Sequence, residues 1–95
     1  MAVLEGAKEK PPICFGGHID TVPLGETNWE YDPFGEIAGD KLYGRGSTDM
    51  KSGIAAAVAA AVSMTNVKER KGDIKLICTA GEEFGCKGSL HIAGI

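Results

Sequence analysis

The apolar positions of this chain are concentrated in two short runs that are separated by polar and glycine-rich segments. Ile13–Gly17 and Ile74–Thr79 are each bounded by turn or polar residues, a pattern typical of buried strands. Between them, Met50–Met64 is rich in alanine and nearly free of polar side chains. This segment predicts a helix that packs against a sheet and is buried on most sides.

Weaker signals complete the element order. Residues 36–38 and 41–43 predict a short hairpin around a Gly39-Asp40 turn, and residues 86–95 predict the start of another helix. Strand, loop, helix, strand, loop and helix together indicate an α/β fold with a mixed, partly parallel sheet and packed helices. In such sheets, active groups collect beyond the carboxyl ends of the strands.

Residues 21–35 predict a loop, because prolines, glycines and an asparagine recur along them as turn signals. The loop carries three aromatic residues, Trp29, Tyr31 and Phe34. We expect them to pack the loop onto the body of the domain, with substrate contact as the alternative.

Length and charge narrow the class of protein. The chain has 95 residues, 43% of them apolar, which is enough for one small domain with a core. The net charge is −3, and the basic residues are scattered apart from one short knot at residues 68–71. This distribution argues against nucleic acid or an anionic membrane as the main partner.

The sequence predicts a reduced, cytoplasmic protein. Residues 1–10 lack the apolar stretch of a secretion signal, and the apolar run Ile54–Val62 is too short to cross a bilayer. The 3 cysteines form no Cys-x-x-Cys pair. Cys14 and Cys78 fall inside strand patterns, where we expect small core residues, and a packing role is also favoured for Cys86.

Three polar clusters follow the apolar segments. They are Gly17-His18-Ile19-Asp20, Gly46-Ser47-Thr48-Asp49, and Thr79–Gly85 with its Glu82-Glu83 pair. Charge placed so close to a core is costly unless something positive compensates it. One histidine with several carboxylates therefore suggests a site for a hard or borderline metal ion.

His18 and Asp20 would project to the same face if the backbone stays extended beyond the first strand. A ligating histidine usually donates its second ring N–H to a carboxylate or a carbonyl, and Asp20 is suited to that role. The alternative is structural: His18 as a hydrogen-bonded strand-end residue, and Asp20 capping the backbone ahead of Pro23.

Asp49 directly precedes the predicted helix, so it is either the helix N-cap or a carboxylate that bridges two divalent ions. The Gly44-Arg45-Gly46 sequence does not continue into a dinucleotide-binding or phosphate-binding loop, because position 49 is acidic and no Gly-Lys-Ser/Thr follows. Nucleotide binding is therefore not expected.

The Glu82-Glu83 pair is the hardest feature to explain structurally, because adjacent carboxylates repel each other. In extended backbone the two side chains would face opposite ways, so one could bind a metal while the other reaches the substrate. Solvated surface charge is the alternative.

Taken together, the clusters resemble the acetylornithine deacetylase and succinyl-diaminopimelate desuccinylase family of metallopeptidases and amidohydrolases. The matching segments are Gly17–Pro23, Tyr43–Lys51 and Thr79–Gly85, with Trp29 and Asp32-Pro33-Phe34 between the first two. The resemblance runs from about Pro12 to Gly88. It implies a fragment of a zinc-peptidase catalytic domain.

The family pattern implies a role at each matching position. His18 would bind one metal ion, Asp20 would orient His18, Asp49 would bridge both ions, Glu82 would be the general base and Glu83 would bind the second ion. The implied cofactor is a pair of divalent ions, zinc or alternatively cobalt, and the implied reaction is hydrolysis of the amide of an N-acyl amino acid or short peptide. The peptide bond after Asp49 is expected to be cis.

Other family features are not found in these residues. A further acidic ligand, a later histidine, an inserted dimerisation domain and a preceding strand and helix are all expected but absent. Residues 1–95 are therefore interpreted as a partial catalytic domain, with its motif core at about 12–88 and its activity in a full-length parent. The alternative is a non-catalytic fragment that binds metal or pairs with a partner, including a second copy through an open sheet edge.

Overall fold

The computed structural model describes all residues, 1–95, and contains two small sheets and two helices. The elements in chain order are β1 Ala2–Leu4, β2 Ile13–His18, β3 Glu36–Ala38, β4 Lys41–Tyr43, α1 Ser52–Ser63, β5 Ile74–Thr79 and α2 Lys87–Ala93. Short helical turns, Ser47–Lys51 and Met64–Asn66, flank α1. Neither helix has the length and apolar character that a membrane crossing requires.

The main sheet has the strand order β1-β5-β2, so β5 lies at its centre. β2 pairs with β5 in parallel, in a register that runs from Ile13 opposite Ile74 to His18 opposite Thr79. β1 pairs with β5 in the antiparallel sense and was not predicted, since it spans three residues of a polar N-terminal segment. The parallel pair with α1 between its strands confirms the α/β prediction.

α1 packs closely on the sheet beside the end of β2. Gly17 makes this approach possible, because a Cβ atom there would lie 2.9 Å from Cγ1 of Ile54 and 3.0 Å from Cε of Met50. The buried apolar residues of the interior are Ala61 of α1 and Ile74 of β5. The helix therefore packs against the sheet next to His18, the last residue of β2.

Two burial predictions were wrong. α1 was expected to be buried on most sides, but Ala61 is its one buried residue and Val62 is exposed. β2 was expected to be a buried strand, yet Ile13 is 60% exposed. The reason is that β2 is an edge strand and that no further layer within the chain covers the outer side of α1.

The cysteine prediction was wrong for the same reason, since all three thiols are exposed. Cys14 lies on the edge strand β2, and Cys78 lies opposite Gly17, which has no side chain to cover it. Burial of strand residues depends on neighbouring layers, which the local sequence pattern does not report.

The hairpin and the last helix have the predicted boundaries, whereas the long helix does not. β3 and β4 pair around Gly39 and Asp40 as expected, and α2 begins at Lys87. The predicted long helix begins later than expected, at Ser52, because Asp49 and Met50 have non-helical backbone angles. The peptide bond between them is cis, as the family resemblance implied.

The aromatic residues of the loop 21–35 differ in their contacts. The indole Nε1 of Trp29 donates to the Leu24 carbonyl at 3.1 Å, and the Arg45 guanidinium lies 5.0 Å from the centre of the indole ring. Tyr31 stacks on Tyr43 with ring centres 3.8 Å apart. The expected packing onto the body is found for Tyr31. Trp29 contacts Arg45 but is 37% exposed, and Phe34 is 87% exposed, contrary to the expectation.

Candidate metal centre

The parallel pairing of β2 and β5 brings the exits of both strands to one edge of the sheet. The pairing continues one residue further, where the Ile19 amide donates to the Thr79 carbonyl at 2.9 Å. The clusters that follow the two strands, beginning at His18 and at Thr79, must therefore lie side by side.

His18 is the centre of this edge and is only 5% exposed. Its Nε2 lies 3.2 Å from Oδ1 of Asp49 and 3.7 Å from Oε2 of Glu82. Its Nδ1 lies 3.0 Å from the backbone carbonyl oxygen of Asp20 and 3.6 Å from Oδ1 of the same residue. The imidazole is thus enclosed by acceptors on both ring nitrogens.

These acceptors also set the protonation of the ring. Burial acts to lower the pKa of His18, but the Asp20 carbonyl and the Asp49 carboxylate, with the charges of Glu82 and Asp20, outweigh it. The pKa of His18 is therefore raised above its ordinary value. The acceptors around the ring therefore favour its protonated form.

Asp49 reaches His18 from the turn that precedes α1. Gly46 begins this turn in the left-handed region at φ 79° and is buried, and the Lys51 amide closes the turn on the Gly46 carbonyl at 3.0 Å. No side chain caps the N-terminus of α1, so the N-cap alternative for Asp49 is wrong. Its carboxylate contacts His18 while the side chain remains 78% exposed.

Extended backbone was considered for Glu82 and Glu83 on the basis of the sequence. In the structure the two residues lie in a turn. The amides of Gly85 and Cys86 both donate to the Glu82 carbonyl at 3.0 Å, and Gly81 has a positive φ of 78°. Both carboxylates are consequently brought towards the same imidazole. Glu83 is half-buried, while the Glu82 side chain is 44% exposed.

The Asp20 carboxylate joins the two strand exits. Its Oδ1 accepts the Glu82 amide at 3.3 Å and its Oδ2 accepts the Glu83 amide at 3.2 Å. Burial acts to raise the pKa of Asp20, but these amide contacts outweigh it and lower the pKa below its ordinary value. The hydrogen bonds are long-range, which contradicts the alternative of a local cap before Pro23.

The donor set fits a divalent ion. One ligand atom from each of His18, Asp49 and Glu83 can be chosen so that all lie within 4.8 Å of one another. Ligands that share a zinc ion at roughly 2.0–2.2 Å are about 3.4 Å apart in tetrahedral geometry. The 3.2 Å between His18 and Asp49 is close to that spacing. One imidazole with carboxylates suits zinc or cobalt.

Sequence reasoning missed the contribution of Met50. Its Sδ atom accepts the backbone N–H of His18 at 3.4 Å, so the residue that follows Asp49 also touches the residue at the end of β2. The signal that could have found it is the close approach permitted by Gly17, against which Met50 Cε packs.

A hollow of about 540 Å³ opens beside the candidate ligands. Its lining includes His18, Asp49 and Glu82 together with Ser89 and Ile92 of α2. A small molecule could therefore reach the Glu82 carboxylate and the candidate ligands His18 and Asp49 from the same space.

Comparison with known proteins agrees with this arrangement. Residues 14–94 match the family described as Peptidase family M20/M25/M40. The chain belongs to this family. The resemblance read from the sequence is thereby confirmed at the family level.

Curated relatives of this M20/M25/M40 chain include several succinyl-diaminopimelate desuccinylases. The protein of that name from Gluconobacter oxydans (strain 621H) is 47% identical over 85 residues, which cover 84% of this chain and 22% of the relative. The one from Ehrlichia ruminantium (strain Gardel) is 49% identical over 80 residues, covering 82% and 21%. The chain thus spans about a fifth of the length of these relatives.

Proposed function

We propose that this chain is the core of the catalytic domain of a metal-dependent amidohydrolase. Its substrate would be an N-acyl amino acid or short peptide, and the names of the desuccinylase relatives support an N-succinyl amino acid as the first substrate to test. The observation that carries the proposal is the convergence of His18, Asp49 and Glu83, with Glu82 beside them, from three separate segments.

The proposed ligands of two divalent ions are His18, Asp49 and Glu83, with Asp49 shared between the ions. When bound, the ions would lower the pKa of a water molecule and polarise the acyl carbonyl. Zinc is the expected ion and cobalt the alternative, because the donors are one imidazole and two carboxylates.

The proposed general base is Glu82. It takes one proton from the attacking water and returns it to the nitrogen of the leaving amine, so that the amide and water become a carboxylic acid and an amine. The position of its carboxylate, 3.7 Å from His18 Nε2 and open to the hollow, supports this role.

We also propose that residues 1–95 form only part of the catalytic domain, with the remaining ligands and the dimerisation domain supplied by further sequence. A zinc ion takes about four ligands, more than this cluster offers to two ions. The chain is also flat, at 52 × 39 × 13 Å, and its radius of gyration of 16.5 Å exceeds the roughly 12 Å of a compact domain of this length.

The proposal is tested with the longer protein that carries this sequence. N-succinyl-diaminopimelate and N-acetylornithine are offered as substrates before and after removal of metal by a chelator. We expect release of the acyl group to stop on chelation and to return with zinc or cobalt. Hydrolysis that persists at full rate without metal would refute the proposed chemistry.

A second candidate is a non-catalytic fragment that pairs with another polypeptide. The free edge of β2 and the exposed apolar side chains of Ile13, Ile37 and Leu42 favour it. Turnover by the purified 95-residue chain would exclude this candidate, whereas concentration-dependent association without turnover would support it. The cytoplasmic location stays a prediction.

A further inference from the structure

The Asp20 carboxylate contacts two backbone amides that lie far from it in sequence. Its two oxygens accept the N–H groups of Glu82 and Glu83 at 3.3 Å and 3.2 Å, across separations of 62 and 63 residues. Carboxylate-to-amide hydrogen bonds are charge-assisted and stronger than neutral ones. Asp20 therefore links the exit of β2 to the turn after β5 by hydrogen bonds.

The other hydrogen bonds of the Glu82–Glu83 turn are made within the turn or to the start of α2. The Gly85 and Cys86 amides close the turn on itself, and the Lys87 amide ties α2 to the Gly81 carbonyl. None of these bonds reaches β2. The strand pairing ties β2 to this segment as far as Thr79, and the hydrogen bonds from the β2 exit to the turn itself come from Asp20.

The histidine ring is held differently. The closest Asp20 atom to His18 Nδ1 is the backbone carbonyl oxygen at 3.0 Å, while the carboxylate lies at 3.6 Å. Substitution of the Asp20 side chain leaves that carbonyl in place. The two functions, holding the ring and holding the glutamate turn, can therefore be separated by mutation.

We propose that the Asp20 carboxylate is a positioning residue for the Glu82–Glu83 turn, and that the ring of His18 is oriented by the Asp20 backbone. This inference rests on the proposed function for the roles of Glu82 and Glu83. One carboxylate then sets the distance of both a general base and a metal ligand from His18.

The test uses the longer protein that carries this sequence, without metal, and measures amide hydrogen exchange of residues 80–86. In Asp20→Ala we expect exchange there to become at least about tenfold faster, the factor that corresponds to loss of a charge-assisted hydrogen bond. Asp20→Asn keeps one carbonyl acceptor and the side-chain shape, so we expect an intermediate rate. If the alanine variant unfolds, the asparagine variant provides the same comparison.

Asp73→Ala is the matched control. The Asp73 carboxylate also accepts a distant backbone amide, that of Gly6 at 2.9 Å, but at the far end of β5. We expect this variant to leave exchange at residues 80–86 unchanged. Equal acceleration in both variants would mean general loosening and would overturn the proposal.

A second measurement separates the two roles. At a pH where the ring is neutral, the tautomer of His18, read from its ¹⁵N chemical shifts, should stay the same in Asp20→Ala, and zinc affinity should fall about tenfold or more. A changed His18 tautomer together with unchanged amide exchange in the turn would overturn the inference. So would wild-type amides at residues 80–86 that exchange as fast as those of an unfolded chain. If the wild-type chain and its longer parent bind no zinc while the turn still depends on Asp20, the positioning stands and the proposed metal chemistry fails.

Discussion

The carboxyl end of the main sheet and its apolar surfaces differ in how completely the chain encloses them. At the carboxyl end, His18 is buried and each of its ring nitrogens faces an acceptor. On the surfaces, Ile13 and Val62 are more than half exposed, and few apolar residues are fully buried. The polar centre is therefore better enclosed than the hydrophobic interior.

This difference shows that the two regions depend on different forces. The strand-exit region is held by hydrogen bonds between segments, and these need no second layer of helices. The apolar surfaces gain stability in proportion to the area removed from water, so they depend on neighbours that these residues do not supply. We expect changes in the two regions to affect different measured quantities.

The largest expected effect is on catalysis. Glu82→Gln in the longer protein should lower kcat by about 10²–10⁴-fold, because an amide keeps the shape of the side chain but cannot accept the proton. Zinc content should not change. Steady-state hydrolysis and metal analysis provide the measurements.

Glu26→Gln, in the exposed loop, is the control and should retain the wild-type rate. A Glu82→Gln enzyme as fast as the wild type would assign the base to another residue.

The next effect is on metal binding by the strand-exit region. His18→Ala or Asp49→Ala should weaken zinc binding by more than about 100-fold, since removing a ligand costs more than removing a group that supports one. Competition with a chromophoric chelator measures the affinity. Asp40→Ala, in the hairpin turn, should bind as the wild type does, and equal losses in all three would disprove a specific site.

The apolar surfaces are tested by Ile37→Lys on the exposed face of β3. In the 95-residue chain the free energy of unfolding should change by less than about 0.5 kcal/mol, as for other surface substitutions. In the longer protein it should fall by about 1–3 kcal/mol, because a covered lysine would lose its hydration. Denaturant unfolding of both proteins gives the two values.

Asp40→Lys, at the tip of the same hairpin, should have little effect in either protein. Identical small effects of Ile37→Lys in both would show that the hairpin remains exposed in the parent, which would weaken the contrast between the two regions.

The smallest expected effect concerns Met50, which lies where the regions meet. Met50→Leu should weaken zinc binding by about threefold or less, because a thioether is a weak acceptor and the leucine fills a similar volume. Met64→Leu is the control, with no expected change. A loss above about 30-fold would mean that the Met50 sulfur does more than support the His18 backbone.

Elements defined by short-range signals could be predicted from the sequence. The turn at Gly39-Asp40 predicted the hairpin correctly. The apolar runs ending at His18 and Thr79 predicted two strands that pair in parallel, which places the candidate site at one edge of the sheet. These predictions succeed because turn chemistry and strand patterns act over a few residues.

Features that depend on distant neighbours were predicted less well. Exposure of Cys14 and Val62 follows from layers that the local pattern does not report. The turn at Glu82 follows from positive φ angles at Gly81 and Cys86, of which only the glycine gave a signal. The partners of Asp20 lie more than sixty residues away, beyond the range of any local pattern.

The parallel register of β2 and β5 also has a consequence for folding order. Parallel strands so far apart in sequence can pair only after a long loop closes, and the logarithm of the folding rate falls as such contacts raise the contact order. Because the candidate ligands come together only through this pairing, they can act jointly only in the folded chain. Under the proposed metal binding, a divalent ion would stabilise the folded state, so the folded fraction would rise with the concentration of the free ion.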